Sequence, residues 1–234
     1  MTSENYPMAL MNAIEASEGW KIRSKILIHS ISYDIFSGNF EELKRVLSAY
    51  HDPKVGLPLW SVSNRDKLDL FQRELVRLFF NYLAAAKSLV EHTRIFVKQM
   101  YLASDFQKEY EEEVDKRFHN PFCEFVMDLR DFLLHERLPQ LAGSLHFGKD
   151  KSLEFGITLD VEALRRSDVW SQRGEEYLET LEKELALDDI VNGYGSKVRE
   201  FYQWFGEKLQ KLHSKEFEQL ASLQKKFKEL YGEM

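Results

Sequence analysis

Asn120-Pro121-Phe122-Cys123-Glu124-Phe125-Val126-Met127-Asp128-Leu129-Arg130-Asp131-Phe132-Leu133-Leu134-His135 is the stretch on which the reading of this chain turns. It reads as a helix with a marked start. Pro121 suits the first helical turn, where its missing N–H is not needed, and Asn120 suits the cap before it. The helix should end by Leu138, because Pro139 cannot continue it. At about 100° per residue, Phe122, Phe125, Val126, Leu129, Phe132 and Leu133 fill one wide apolar arc, the core face. Glu124, Asp128, Asp131 and His135 share a narrow polar arc. Cys123, Met127, Leu134 and Leu138 form a second apolar arc, and Arg130 lies between that arc and the core. Arg130 is therefore poorly placed to be an ordinary solvated arginine.

Upstream, Ser63-Asn64-Arg65-Asp66 opens a long helix, with the form of a capping box. Between Asp66 and Leu102 there is no Pro and no Gly. Phe71, Leu75, Leu78, Tyr82, Ala86, Leu89, Phe96 and Met100 recur there at helical spacing, which makes this helix the spine of the core. Asn81, Ser88 and His92 fall in a narrow arc beside that stripe, flanked by Glu91 and Arg94. Asp105 to His119 is a more polar helix whose Glu111-Glu112-Glu113 run reads as a solvated face.

Downstream of Pro139 the texture changes. Leu141 to Phe147 and Ser152 to Leu159 flank Gly148-Lys149-Asp150-Lys151, and glycines with alternation predict a β-hairpin over 141–159, the only strand signal in the chain. Asp160 has the position of a helix cap. Ser167 to the end is helical again, with a break expected near Asn192-Gly193-Tyr194-Gly195. At the front, residues 8–18 predict a short amphipathic helix, and Gly19-Trp20 a break. Ile22 to Phe36 reads as a helix stopped by Gly38, Phe40 to Tyr50 as a short helix, and residues 51–58, with two prolines and one glycine, as a loop. The fold class is thus mainly all-α: a single mainly helical domain over 1–234, with a helical core over about 60–140, the hairpin, and a helical extension over 160–234.

The 234 residues carry a net charge of −7 and a pI near 5.6. The molecule as a whole is not an electrostatic binder of nucleic acid, so any RNA site must be a local patch. Cys123 is the one cysteine. It allows no internal disulfide and no cysteine metal site, and fits a reducing, cytoplasmic setting. Met1 to Pro7 does not read as a signal peptide, and no stretch approaches the ~18 apolar residues of a membrane span. The histidines stand at 29, 51, 92, 119, 135, 146 and 213. No two share an i, i+4 spacing, so no helix-borne metal site is expected, and no cofactor motif is present.

Arg130-Asp131-Phe132-Leu133-Leu134-His135 is an Arg, four residues and a His, with a polar residue directly after the Arg. The pattern resembles the signature of the HEPN superfamily. The resemblance covers roughly residues 60–140. It implies a HEPN-like helical bundle, a homodimer with the motif helix at its interface, and a metal-independent endoribonuclease of the toxin or phage-defence class, with RNA as substrate and an antitoxin or other protein as partner. Two copies would make one RNA-cutting site.

The chemistry fits that implication. RNA can be cut by its own 2′-OH attacking the adjacent phosphate. His135 suits proton transfer near neutral pH. Arg130 stays charged, and its fork matches phosphate oxygens. Asp131, four residues before His135, could hold the imidazole in one tautomer. On a regular helix Arg130 and His135 point about 140° apart. They converge on one phosphate only if a second copy contributes, or if the helix end is distorted. Taken one at a time, the residues also fit plainer roles. His135 reads as a surface histidine paired with Asp131, and Arg130 as a half-buried ion pair with Glu91 or another acid. His92 reads as a core-edge histidine, and Asn81 and Ser88 as helix–helix hydrogen bonders. Two other readings stay open: a catalytically inert HEPN-like module that binds a protein or a nucleotide, and a helical scaffold unrelated to HEPN.

Overall fold

The helical period that dominates the sequence is realised as ten α-helices and one small sheet among the described residues. The computed structural model describes residues 6–136, 138, 141–147 and 153–232. The fold divides into two units, Met1–Ile31 with Tyr202–Met234, and Ser32–Phe201. Among the described residues, no helix is long and apolar enough to cross a membrane.

The first unit contains α1 (Tyr6–Ala16), the start of α2 (Glu18–His51), the end of α9 (Leu187–Leu212) and α10 (Ser214–Tyr231). Leu10 and Ile14, one turn apart on α1, are buried with Leu220 and Phe227 of α10, and Trp20 and Leu223 pack against them. His29 is buried and lies 5.8 Å from the ring of Phe205 and 6.3 Å from that of Tyr202. The break between α1 and α2 falls at Ser17 rather than at Gly19-Trp20. The Ser17 hydroxyl donates to the Ile14 carbonyl at 2.6 Å and accepts from the Trp20 amide at 3.2 Å, closing one helix and capping the next. Gly19 sits inside α2, where a Cβ would strike the Glu216 carbonyl. Its task is close approach of α2 to α10, not a turn.

The second unit holds the rest of α2 and of α9 together with α3 (Pro53–Leu59), α4 (Arg65–Tyr101), α5 (Asp105–Phe118), α6 (Pro121–His135), β1 (Leu141–Phe147), β2 (Leu153–Asp160), α7 (Val161–Leu164), α8 (Gln172–Thr180) and β3 (Glu184–Ala186). The core gathers along α4, as its periodicity requires. Tyr82 packs its ring 5.4 Å from Phe36 and 6.1 Å from Phe40, and its hydroxyl donates to the Val191 carbonyl at 3.2 Å. Tyr50 stacks on Phe71 at 5.0 Å and meets Phe155 of β2 edge-on. Full burial of each such ring contributes about 1.5–3 kcal/mol. The α4 helix stops where Ala103 takes a left-handed φ of 59°. Ser104 then caps α5 by accepting from the Gln107 amide at 3.1 Å, while the Gln107 side chain accepts from the Ala103 amide at 2.7 Å.

The predicted hairpin is present. Its strands pair antiparallel from Leu141 opposite Leu159 to Phe147 opposite Leu153. The expected Gly148–Lys151 turn lies outside the described residues. Asp160 caps α7 as expected, accepting from the Ala163 amide at 3.1 Å. One strand escaped the sequence reading: β3 pairs with β2 over Thr158–Asp160. Three residues carry no alternation, so β3 is visible only through its partner.

Four further boundaries differ from expectation, for two kinds of reason. Gly38 does not stop α2, which runs on to His51 because Phe36, Phe40, Leu43 and Leu47 keep one buried stripe through it. The glycines at 193 and 195 do not break α9. A Cβ at Gly195 would enter the Phe40 ring, and one at Gly193 would come within 3.0 Å of Phe122. These glycines mark close packing. Residues 53–59 are helical rather than looped, because Asp52 accepts from the Lys54 amide at 2.9 Å and Pro53 occupies the first turn. At the start of α4 the expected capping box is not made. Ser63 bonds to Ser61 at 2.8 Å, and a single 3-10 turn, Val62–Asn64, leads into the helix.

The two kinds of glycine give opposite predictions. Gly38→Ala adds a methyl to open space in a helix interior and should stabilise the protein by roughly 0.5–1 kcal/mol. Gly195→Ala should destabilise it by about 1–3 kcal/mol, because Phe40 must move. Urea denaturation of the two variants checks the sign of each.

Candidate functional site

Helix α6 begins as its sequence requires. The Asn120 side chain accepts from the Cys123 amide at 3.2 Å, and Pro121 is the first helical residue. Its wide apolar arc is buried: Phe125, Val126, Leu129, Phe132 and Leu133 are each at most 5% exposed. Trp170 lies flat along this arc, stacked on Phe125 at 5.3 Å and on Phe132 at 5.6 Å. Its indole N–H donates to the Leu164 carbonyl at 2.9 Å. Tyr177 of α8 closes on Phe122 and Phe125 at 5.4 and 5.0 Å.

The polar arc of α6 is divided among several tasks. Asp128 accepts from the amide of Ser171 at 2.8 Å and from its hydroxyl at 2.7 Å. The same hydroxyl accepts from the Gly174 amide at 3.2 Å, capping α8. Asp128 thereby plays the part that a Glu three residues after the cap plays in a capping box. Gly174 occupies that third position, and a Cβ there would strike the Asp128 carboxylate. Glu124 stands 4.0 Å from the ring of His119, which is itself held by Asp115 at 2.5 Å. Asp131 accepts from Arg130 Nη1 at 2.6 Å. It makes no hydrogen bond to His135 among the described residues.

Arg130 is the least ordinary residue on the helix. Its side chain is 29% exposed, and its Nε is buried without an acceptor among the described residues. Such a donor costs about 1–3 kcal/mol until something accepts from it. Of the acids expected as its partner, Arg130 takes Asp131 rather than Glu91, which is bound to Arg94 at 2.6 Å. His135 is the last residue of α6, exposed, with no hydrogen-bond or ion-pair partner among the described residues. The α-helix is unbroken through His135, so the angle of about 140° between the two side chains holds within one copy.

The second apolar arc is half covered by the chain itself. Cys123 is buried, its thiol bonded to the Arg117 carbonyl at 3.8 Å, and burial pushes the thiol pKa up. Met127 receives the Tyr194 hydroxyl on its sulfur at 3.8 Å, and burial likewise raises the Tyr194 pKa. Only Leu134 and Leu138 stay open, at 40% and 58% exposure. A dimer contact running the whole length of that arc is therefore not available, because α9 and the end of α5 already cover its first half.

The residues of the α4 line do not gather at one place. Asn81 lines a groove of about 1000 Å³ between α4, β1 and Leu138. Ser88 is exposed. His92 shares a hydrogen bond of 2.7 Å with Ser32 of α2. Eleven residues of helix separate Asn81 from His92, a rise of about 16 Å, so Ser88, Glu91, His92 and Arg94 stand apart from the groove. The groove also holds Arg73 and Arg77, which sequence reasoning passed over because exposed arginines on a helix carry no pattern. Ser171 and Gly174 were missed for a different reason. The acid that completes their cap lies 43 residues upstream.

Among the described residues, no three His, Cys, Asp or Glu side chains come together as a metal site. Comparison with protein-family models, with curated proteins and with solved structures found no match.

Asp128→Ala should lower stability by about 1–2 kcal/mol through loss of the shared cap. Gly174→Ala should cost a similar amount by expelling the carboxylate. The double variant should cost clearly less than the sum of the two, as expected for groups acting on one cap. Strict additivity in urea titrations would show that the two residues do not share a task.

Proposed function

We propose that this chain is a metal-independent endoribonuclease of HEPN type, of the toxin or phage-defence class, acting in the cytoplasm as a homodimer whose site is completed by the second copy. The observation that carries the reading is the state of Arg130. One arm of its guanidinium is bound to Asp131, while Nε is buried with no acceptor among the described residues, five residues before an exposed His135 that has no partner among them. A phosphate oxygen would accept from the N–H donors on the exposed side of the guanidinium, whose side chain is 29% exposed.

In this mechanism the 2′-oxygen bonds to phosphorus and its proton passes to one His135. The bond from phosphorus to the 5′-oxygen breaks, and the leaving oxygen takes a proton from an acid. Arg130 steadies the charge on the crowded phosphate. The products are a 2′,3′-cyclic phosphate and a free 5′-OH. Because α6 is regular through His135, Arg130 of one copy works with His135 of the other. Asp131 holds the guanidinium fork in place, which differs from the imidazole-holding task expected of it. An antitoxin would act by covering the exposed end of α6.

One observation favours a second reading, an inert HEPN-like module that binds a protein or a nucleotide. The Asp131 carboxylate already neutralises Arg130, and a phosphate must compete with it.

Purified protein should cut single-stranded RNA with EDTA present and leave 2′,3′-cyclic phosphate ends. Arg130→Lys and His135→Ala should each lower the rate by on the order of 10²-fold or more with the fold unchanged. Mixing Arg130→Ala with His135→Ala should recover activity above that of either variant alone, since each mixed dimer keeps one intact pairing of Arg130 from one copy with His135 from the other. Wild-type rates for both single variants would sink the enzyme reading, and a protein that cuts no RNA would favour the inert module.

A further inference from the structure

The three strands form one sheet in the order β1-β2-β3, so β1 and β3 are its edges. The two edges are treated differently. β3 is three residues long and carries Glu184, a short and charged edge that resists pairing. β1 is seven residues long, Leu141-Ala142-Gly143-Ser144-Leu145-His146-Phe147, with no Lys, Arg, Asp, Glu or Pro. Among the described residues, no backbone hydrogen bond reaches β1 from anything other than β2. Its outer row of N–H and C=O groups is an open template.

A groove of mixed character, with an apolar floor, lies beside that edge. Val76 and Phe80 of α4, with Leu138 and Leu141, line the groove beside β1, and Leu134 stands exposed on the last turn of α6. Asp69 and Arg73, one turn apart on α4, also line it, beside Gln72, Asn81 and the Glu74-bound Arg77, and neither Asp69 nor Arg73 has an ion-pair partner among the described residues.

We propose that β1 pairs antiparallel with β1 of a second copy, joining the two sheets into one of six strands, with the two grooves meeting across the axis. The argument for a second copy, rather than another partner, is self-complementarity. An antiparallel pair of identical strands is two-fold symmetric by construction. Such pairing sets like residues near like, which charged strands resist, and β1 contains no Lys, Arg, Asp or Glu to resist it. A two-fold axis also reverses the direction of α4, so the unpaired Asp69 and Arg73 of one copy face the opposite charges of the other. Leu138 lies three residues beyond His135, so the pairing carries the ends of both α6 helices toward the axis. The inference rests on the two-copy reading only for the use made of the dimer. The contact itself stands on the sheet edge.

Sedimentation velocity of the full chain at micromolar concentration tests it. The wild type should sediment as a dimer. Ala142→Lys, at an exposed position on the edge, should weaken the dimer by about tenfold or more while leaving the circular dichroism unchanged. Asp69→Arg should also weaken it, and Asp69→Arg combined with Arg73→Asp should restore it. A monomeric wild type overturns the pairing, whatever the protein does to RNA. So does a dimer that neither Ala142→Lys nor Asp69→Arg weakens. A dimer that responds as expected but cuts no RNA leaves the pairing standing and sinks the nuclease reading.

Discussion

The stack of Trp170 on Phe125 and Phe132 is the contact on which the larger unit depends. It covers the apolar face of α6, and with Tyr177 it turns an amphipathic surface helix into a core element. Burial of these rings is non-directional, so it does not fix the register of α8 by itself. The Asp128–Ser171 contact does that, because a carboxylate that accepts both an amide and a hydroxyl admits only one placement of the α8 start. Hydrophobic area supplies the energy here, and one charged cap supplies the geometry.

The stack on Phe132 carries this anchoring into the last turn of α6. Arg130 and His135 therefore project from a scaffold with little freedom to rearrange, which suits a site that must present charge in a fixed direction. The same rigidity keeps the two side chains apart within one copy. On the proposed nuclease reading, a group from outside the helix must complete the site, and the proposed two-copy site and the open β1 edge both answer that need.

Much of the fold was legible in the sequence wherever one signal dominated. The start of α6 follows from Asn120-Pro121, the long α4 from an uninterrupted apolar stripe, and the hairpin from its alternation. The failures share a cause. Gly19, Gly38, Gly193 and Gly195 read as stops, yet each lies inside a helix, two of them because an aromatic ring takes the space of a Cβ. A glycine needed for packing and a glycine needed for turning are identical in one dimension. β3 and the Asp128 cap were invisible because their partners are distant in the chain.

The candidate site was legible to a similar depth. The spacing of Arg130 and His135 and the unusual position of Arg130 follow from the helical wheel. The partner of Asp131 does not, since a carboxylate on the polar arc can turn to Arg130 or to His135, and only side-chain geometry decides. The coherence of the scaffold itself can be measured by native-state hydrogen exchange on the wild type in rising urea. The account predicts that amides of residues 121–135 and 172–180 share one opening free energy and lose protection together, because the aromatic stack and the shared cap bind α6 and α8 into one unit. Loss of protection in α6 well before α8, or in α8 well before α6, would contradict it.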